Sequence, residues 1–146
     1  MFLIIVFTIL SLDQLTKAAA VSNLIPGSSL DVVKGVFALT LIFNRGAAFG
    51  LLKDQAYIFV FISLAAVLLI SRALKDKKTT GLYRLSLVLI LSGALGNLID
   101  RLRLGYVIDF LDFHIWPVFN LADSAITIGA LLLGWLAVKP KRQDAS

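Results

Sequence analysis

The chain contains no cysteine, which removes disulfides, thiolate nucleophiles and cysteine-ligated metals from consideration and leaves the redox compartment unreadable from thiols. Glutamate is missing too: all nine acidic residues are aspartate. The only histidine is His114, a poor basis for a histidine-rich metal site or a Ser-His-Asp triad. Beside Trp116 it reads as an interfacial or packed residue. Charge is scarce at 16% of residues, whereas 59% are hydrophobic and the mean hydropathy is +0.92. Over 146 residues that balance excludes an ordinary soluble domain and implies one polytopic membrane domain, residues 1–146. The net charge of +5 does not imply nucleic acid. Eight of the fourteen Lys and Arg fall in 72–84 and 139–142, flanking apolar runs, which is the positive-inside pattern of a protein whose neighbours are membrane lipids.

What is present is length of apolar sequence. A hydrocarbon core of about 30 Å needs about 20 helical residues, and four runs qualify, at about 2–21, 56–74, 82–99 and 119–138. The basic turn at 75–81 and the tail at 139–146 fall on one side of four crossings, the cytoplasmic one, so both termini are expected there. The first run invites a second reading as a secretory signal peptide, because Ala18-Ala19-Ala20 resembles a cleavage site. It has no basic leading region, however, and Asp13 and Lys17 interrupt it. Kept as a helix, it carries those two at i, i+4 on one face. A structural ion pair stands beside a catalytic role as the reading of that pair.

Two connections lie on the opposite, extracytoplasmic side. The first, about 22–55, holds Pro26-Gly27, Lys34-Gly35 and then a β-branched and aromatic run from Val36 to Phe43, which predicts a small β-rich cradle at the membrane surface. The second, about 101–118, mixes Arg101, Arg103, Asp109, Asp112 and His114 with the interfacial Trp116-Pro117.

Asn-x-x-Asp occurs twice, as Asn97-Leu98-Ile99-Asp100 and Asn120-Leu121-Ala122-Asp123, each at the end of an apolar run. A charged side chain there costs about 2.5–3.5 kcal/mol on insertion scales, so it marks a candidate functional site. Within each copy the amide and the carboxylate share a helix face. Asn120 can equally be a helix N-cap, whereas Asp123, a turn into its helix, is poorly explained by capping. Asp13, Lys17, Asn44, Arg45, Asn97, Asp100, Asp109 and Asp123 all fall toward one membrane face. Two carboxylates in a low-dielectric site cannot both ionise cheaply, so a pair can share one proton, one acting as general base on water and the other as acid. That chemistry needs no cofactor, and metal ligation is less favoured without His or Glu. The residues alone leave Asp100 and Asp109 both open as the partner of Asp123.

Five blocks in order, Asp13-Gln14-Leu15-Thr16-Lys17, Asn44-Arg45-Gly46-Ala47-Ala48-Phe49-Gly50, Gly93-Ala94-Leu95-Gly96-Asn97-Leu98-Ile99-Asp100-Arg101, Val107-Ile108-Asp109-Phe110 and Phe119-Asn120-Leu121-Ala122-Asp123-Ser124, resemble the lipoprotein signal peptidase (signal peptidase II) family. The resemblance implies an α-helical integral membrane protein of the bacterial cytoplasmic (inner) membrane, with four transmembrane helices and a small extracytoplasmic β-rich cradle between helices 1 and 2. It implies an aspartyl endopeptidase that cuts diacylglyceryl-modified prolipoproteins just before the lipidated cysteine, near the outer leaflet, as a monomer and without metal or cofactor. Asp109 and Asp123 would be its catalytic dyad. Asn44, Asn97, Asp100, Arg101 and Asn120 would support or contact substrate, with Arg101 a clamp on its backbone, and Asp13 and Lys17 would be structural. Asp100 is then expected to anchor the end of the third helix and position Arg101. Two departures from the family pattern stand out. The stretch from Asp109 to Asp123 is short, and Val107-Ile108 replaces a double valine before the aspartate. The alternative from another class is a small proton-coupled four-helix transporter using Asp13 or Asp123.

Overall fold

The computed structural model describes residues 2–46 and 56–139. Ala47, Ala48, Phe49 and Gly50 of the second motif block and the tail from 140 lie outside the described residues. In chain order the elements are α1 (Phe2–Asn23), β1 (Ser29–Val33), β2 (Phe37–Asn44), α2 (Ala56–Lys75), α3 (Gly81–Leu104), β3 (Val107–Asp112) and α4 (Leu121–Val138). All four helices are long and apolar enough to cross a bilayer.

Helix α3 is the hub. It packs against α1, α2 and α4, whereas α2 touches α3 alone among the described elements. Lipid tails are as apolar as leucine, so helices in a bilayer associate through close backbone approach, and α3 and α4 achieve it with glycine. A side chain at Gly93 would collide with the Ala122 carbonyl and Ile126, and one at Gly129 with the Ser86 carbonyl and Ile90. Leu3, Phe7, Phe61, Leu69 and Leu131 point outward and stay exposed, as bilayer-facing side chains do.

A three-stranded antiparallel sheet, ordered β1-β2-β3, covers the end of the bundle where α1 and α3 finish and α4 begins. Strand β2 is central, pairing Leu30 with Leu39 on one side and Ile42 with Asp109 on the other. The sheet is therefore wider than the first connection alone predicts. Its third strand comes from between α3 and α4, where Val107, Ile108 and Phe110 supply buried apolar positions around the aspartate and Leu111 a half-buried one. A further bridge between Leu111 and Phe119 returns the chain to α4. Ala20 of α1, Leu41 of β2 and Ile108 and Phe110 of β3 form the core that fixes sheet to bundle.

Helix ends move by at most two residues from those expected, except the C-terminal end of α3, which passes 99 by a full turn. Helix α3 runs to Leu104, stopped by Gly105 at φ 79, a left-handed cap whose N–H donates to Arg101 O. Helix α4 starts at Leu121, with Asn120 as its N-cap.

Candidate active site

Three elements converge under the sheet. Strand β3 places Asp109 among buried apolar neighbours, the N-terminal turn of α4 presents Asp123, and α3 contributes Asn97 and Arg101 one turn apart. With Asn44 at the end of β2 and Trp116 from the β3–α4 connection, they line a cavity of about 210 Å³. Asn120 is fully buried behind it.

Neutral amides hold both carboxylates. Asn44 Nδ2 donates to Asp109 Oδ2 at 2.8 Å and Asn120 Nδ2 to Asp109 Oδ1 at 2.7 Å. Asn97 Nδ2 donates to Asp123 Oδ1 at 2.7 Å. Among the described residues, the remaining oxygen, Asp123 Oδ2, receives only a long 3.4 Å contact from the Asn120 backbone N–H. That contact corrects one expectation. Asp123 does cap α4: it occupies the third position of a capping box whose other half is Asp123 N–H donating to Asn120 Oδ1 at 2.8 Å. Asn120 likewise combines its two readings, capping α4 with its oxygen and reaching Asp109 with its nitrogen. Burial of Asp109, only 2% exposed, and then the neighbouring charge of Asp123 push its pKa up to about 7, against the pull of the Asn44 and Asn120 hydrogen bonds.

Asp13, Lys17 and Asp100 form a second cluster beside the first. Lys17 Nζ lies 2.9 Å from Asp13 Oδ2, 2.8 Å from Asp100 Oδ2 and 3.0 Å from Asn97 Oδ1, so each of its three protons has an acceptor. Asp13 Oδ1 accepts from Ala122 N–H at 2.9 Å, satisfying one of the orphan donors at the start of α4. Asp100 turns away from the cavity: it accepts from Gln14 Nε2 at 3.0 Å and Ile108 N–H at 3.3 Å. It thus ties α3 to α1 and β3, and none of these contacts is with Arg101. The Arg101 guanidinium instead sits 5.2 Å over the Phe59 ring of α2, a cation–π contact that holds it at the cavity wall.

Gln14 was not anticipated from the sequence, although it lies inside a quoted motif block and bridges Asp13, Asp100 and the Gly96 carbonyl. Nor was β3, whose Val-Ile-x-Phe-Leu run after Gly105 carries the same signal that identified β2. His114 pairs with Asp112 at the exposed rim and does not line the cavity.

An apolar groove of about 470 Å³ runs along α4 from the cavity, sharing Asp123, Trp116 and Phe119 with it and continuing past Ile115, Thr127 and Ile128. A carboxylate pair with one unsaturated oxygen, opening onto an apolar channel, can activate water beside a chain that arrives from lipid.

The comparisons agree on one family. The family model described as signal peptidase (SPase) II matches residues 5–139. The lipoprotein signal peptidase of Moorella thermoacetica is 48% identical over 95% of this chain and 93% of its own. That of Pelotomaculum thermopropionicum is 51% identical over 92% and 90%. A bacterial membrane enzyme solved by the in meso method at 2.3 Å superposes with a TM-score of 0.88 at 30% identity, covering 99% of this chain and 94% of that one. The transporter alternative gains no support from these relatives. A match running through all four helices and the sheet, at such identity, makes this multi-pass membrane protein a member of the signal peptidase II family.

Proposed function

We propose that the chain removes signal peptides from diacylglyceryl-modified prolipoproteins, cutting just before the lipidated cysteine, with Asp109 and Asp123 as the reacting carboxylates. The observation that carries the reading is their convergence on one small cavity that opens onto an apolar groove. Asp123, with Oδ2 nearly free of donors, takes a proton from water. The water oxygen attacks the scissile carbonyl carbon. Asp109, protonated below about pH 7, donates a hydrogen bond to the carbonyl oxygen and then a proton to the departing amine. Asn44, Asn97 and Asn120 hold the pair, and Arg101 at the wall holds the substrate backbone. Neither metal nor cofactor takes part.

The positive-inside distribution supports cytoplasmic termini and a site near the outer leaflet of the inner membrane. There water remains available, and a lipidated substrate can enter sideways along the groove. A monomer supplies every group named. Reconstituted enzyme with Asp109→Asn or Asp123→Asn should remain folded and fail to process a prolipoprotein in a gel-shift assay. Substantial cleavage by both would remove the dyad.

A further inference from the structure

We propose that Lys17, on the first helix and outside the cavity, is a positioning residue for the dyad: by donating to Asn97 Oδ1 it fixes which way that amide faces and so aims Asn97 Nδ2 at Asp123. The inference rests on the dyad reading above and adds a part to it. An amide side chain is nearly symmetric in shape, so its direction in a polar network is set by neighbours that can only donate or only accept. Each of the three asparagines around the dyad has such a neighbour. Gly46 N–H donates to Asn44 Oδ1 at 3.0 Å and Asp123 N–H to Asn120 Oδ1 at 2.8 Å, turning both Nδ2 groups toward Asp109. Among the described residues, no backbone N–H donates to Asn97 Oδ1; its donors are Lys17 Nζ at 3.0 Å and Asn120 Nδ2 at 3.1 Å.

The two are not equal. Asn120 Nδ2 has two protons for three acceptors, Asp109 Oδ1 at 2.7 Å, Asn97 Oδ1 at 3.1 Å and the Ile108 carbonyl at 3.3 Å. Lys17 Nζ has three protons for three acceptors and carries charge. Without it the Asn97 amide can reverse, putting an oxygen against Asp123 Oδ1. Among the described residues, charged groups around the dyad include Lys17 and Asp13 of α1, Asp100 and Arg101 of α3, and the two aspartates themselves. The cation of Lys17 also opposes the upward pull on Asp109.

Lys17→Met alone strands two buried carboxylates and can unfold the protein. The test is therefore Lys17→Met/Asp100→Asn, which removes one charge of each sign, against Asp100→Asn, which keeps the Lys17–Asn97 bond. Both are assayed as full-length enzyme in detergent on a lipid-modified prolipopeptide. The expected result is a kcat about 10- to 100-fold lower for the double variant, the scale of a misplaced reacting group, with KM unchanged and the alkaline limb of the pH profile moved upward. Asp100→Asn alone, which keeps the Lys17–Asn97 bond, should lower kcat less than the double variant does and leave the limb in place. Equal kcat per folded molecule in the two would overturn the proposal. So would a double variant that cannot fold while Asp100→Asn does, which would assign Lys17 to stability alone. Asp123→Asn, run in parallel, separates the two readings: activity there breaks the dyad, whereas an inactive Asp123→Asn beside a fully active double variant breaks only the positioning role.

Discussion

Two pairs of aspartates lie side by side at the sheet end of the bundle, and they differ in what stands between them. Asp13 and Asp100 share the ammonium of Lys17, and backbone and amide donors take up their other oxygens. Among the described residues, the side chains that donate to Asp109 and Asp123 are neutral asparagines, and Asp123 Oδ2 is left almost unengaged. Asp13, Asp100 and Asp109 are buried, and Asp123 is half-buried. A directly bonded cation is the difference: Lys17 bridges the first pair, whereas Lys17 and Arg101 act on the second through space, which distinguishes an ion-paired clamp from a pair able to share a proton. The repeated Asn-x-x-Asp is split across this divide. Asp100 goes to the clamp and Asp123 to the cavity, while Asn97 touches both through Lys17 and Asp123.

The largest expected effects break the cavity pair. Asp109→Asn and Asp123→Asn should each lower cleavage by about 10²- to 10⁴-fold, the usual contribution of a positioned acid or base, with melting temperature in detergent preserved. Asp100→Asn should instead cost stability and lower turnover far less than either. An inactive but fully stable Asp100→Asn would erase the distinction between the two regions.

Next comes the clamp. Lys17 and Asp13 are each 1% exposed, and removing one partner of a buried ion pair costs about 3–5 kcal/mol because the other charge is left uncompensated. Lys17→Met should therefore unfold at much lower temperature or denaturant, and adding Asp100→Asn should recover part of the loss. A thermal-shift double-mutant cycle checks it, and strictly additive losses would mean that Lys17 and Asp100 do not form a working pair.

Much of this was legible in sequence, unevenly. The four spans were readable because a bilayer imposes length and apolarity on every crossing. Asp13 with Lys17 was readable because i, i+4 is local. The choice between Asp100 and Asp109 was not, since it depends on Lys17 reaching a third helix, and Asn44 meets Asp109 across 65 residues of chain. Strand β3 was hidden for a related reason. Its partner β2 lies beyond two intervening helices, and its two aspartates broke up the apolar run.

A smaller effect probes how the clamp reaches the start of α4. A Cβ at Gly96 would lie 2.6 Å from Asp13 Oδ2 and 3.2 Å from the Ala122 side chain. Gly96→Ala must displace the Asp13 carboxylate, whose Oδ2 meets Lys17 and whose Oδ1 accepts from Ala122 N–H, or spread α3 from α4, at about 1–3 kcal/mol. Gly134, with open space around the same position, is the control. Gly134→Ala should be neutral or slightly stabilising through helix propensity. Equal melting temperatures for the two variants would show that the α3–α4 approach tolerates the extra atom.

The finest test separates hydrogen bonding from burial at Asp109. Asn120 cannot serve, because its oxygen also caps α4. Asn44 can, because its Nδ2 donates to Asp109 Oδ2 and its other recorded partner is a loop N–H. A donor to a carboxylate favours the ionised form, so Asn44→Ala removes a contribution that holds the Asp109 pKa down, and that pKa rises from about 7. If protonated Asp109 is the acid, the alkaline limb of kcat/KM should move to higher pH. The shift should be modest, since one such bond contributes about 0.5–1.5 kcal/mol net. Turnover in the acid plateau should fall only as far as the carboxyl loses its orientation. A limb that stays in place or moves down while the plateau survives would assign it to another group and leave Asp109 acting without its proton.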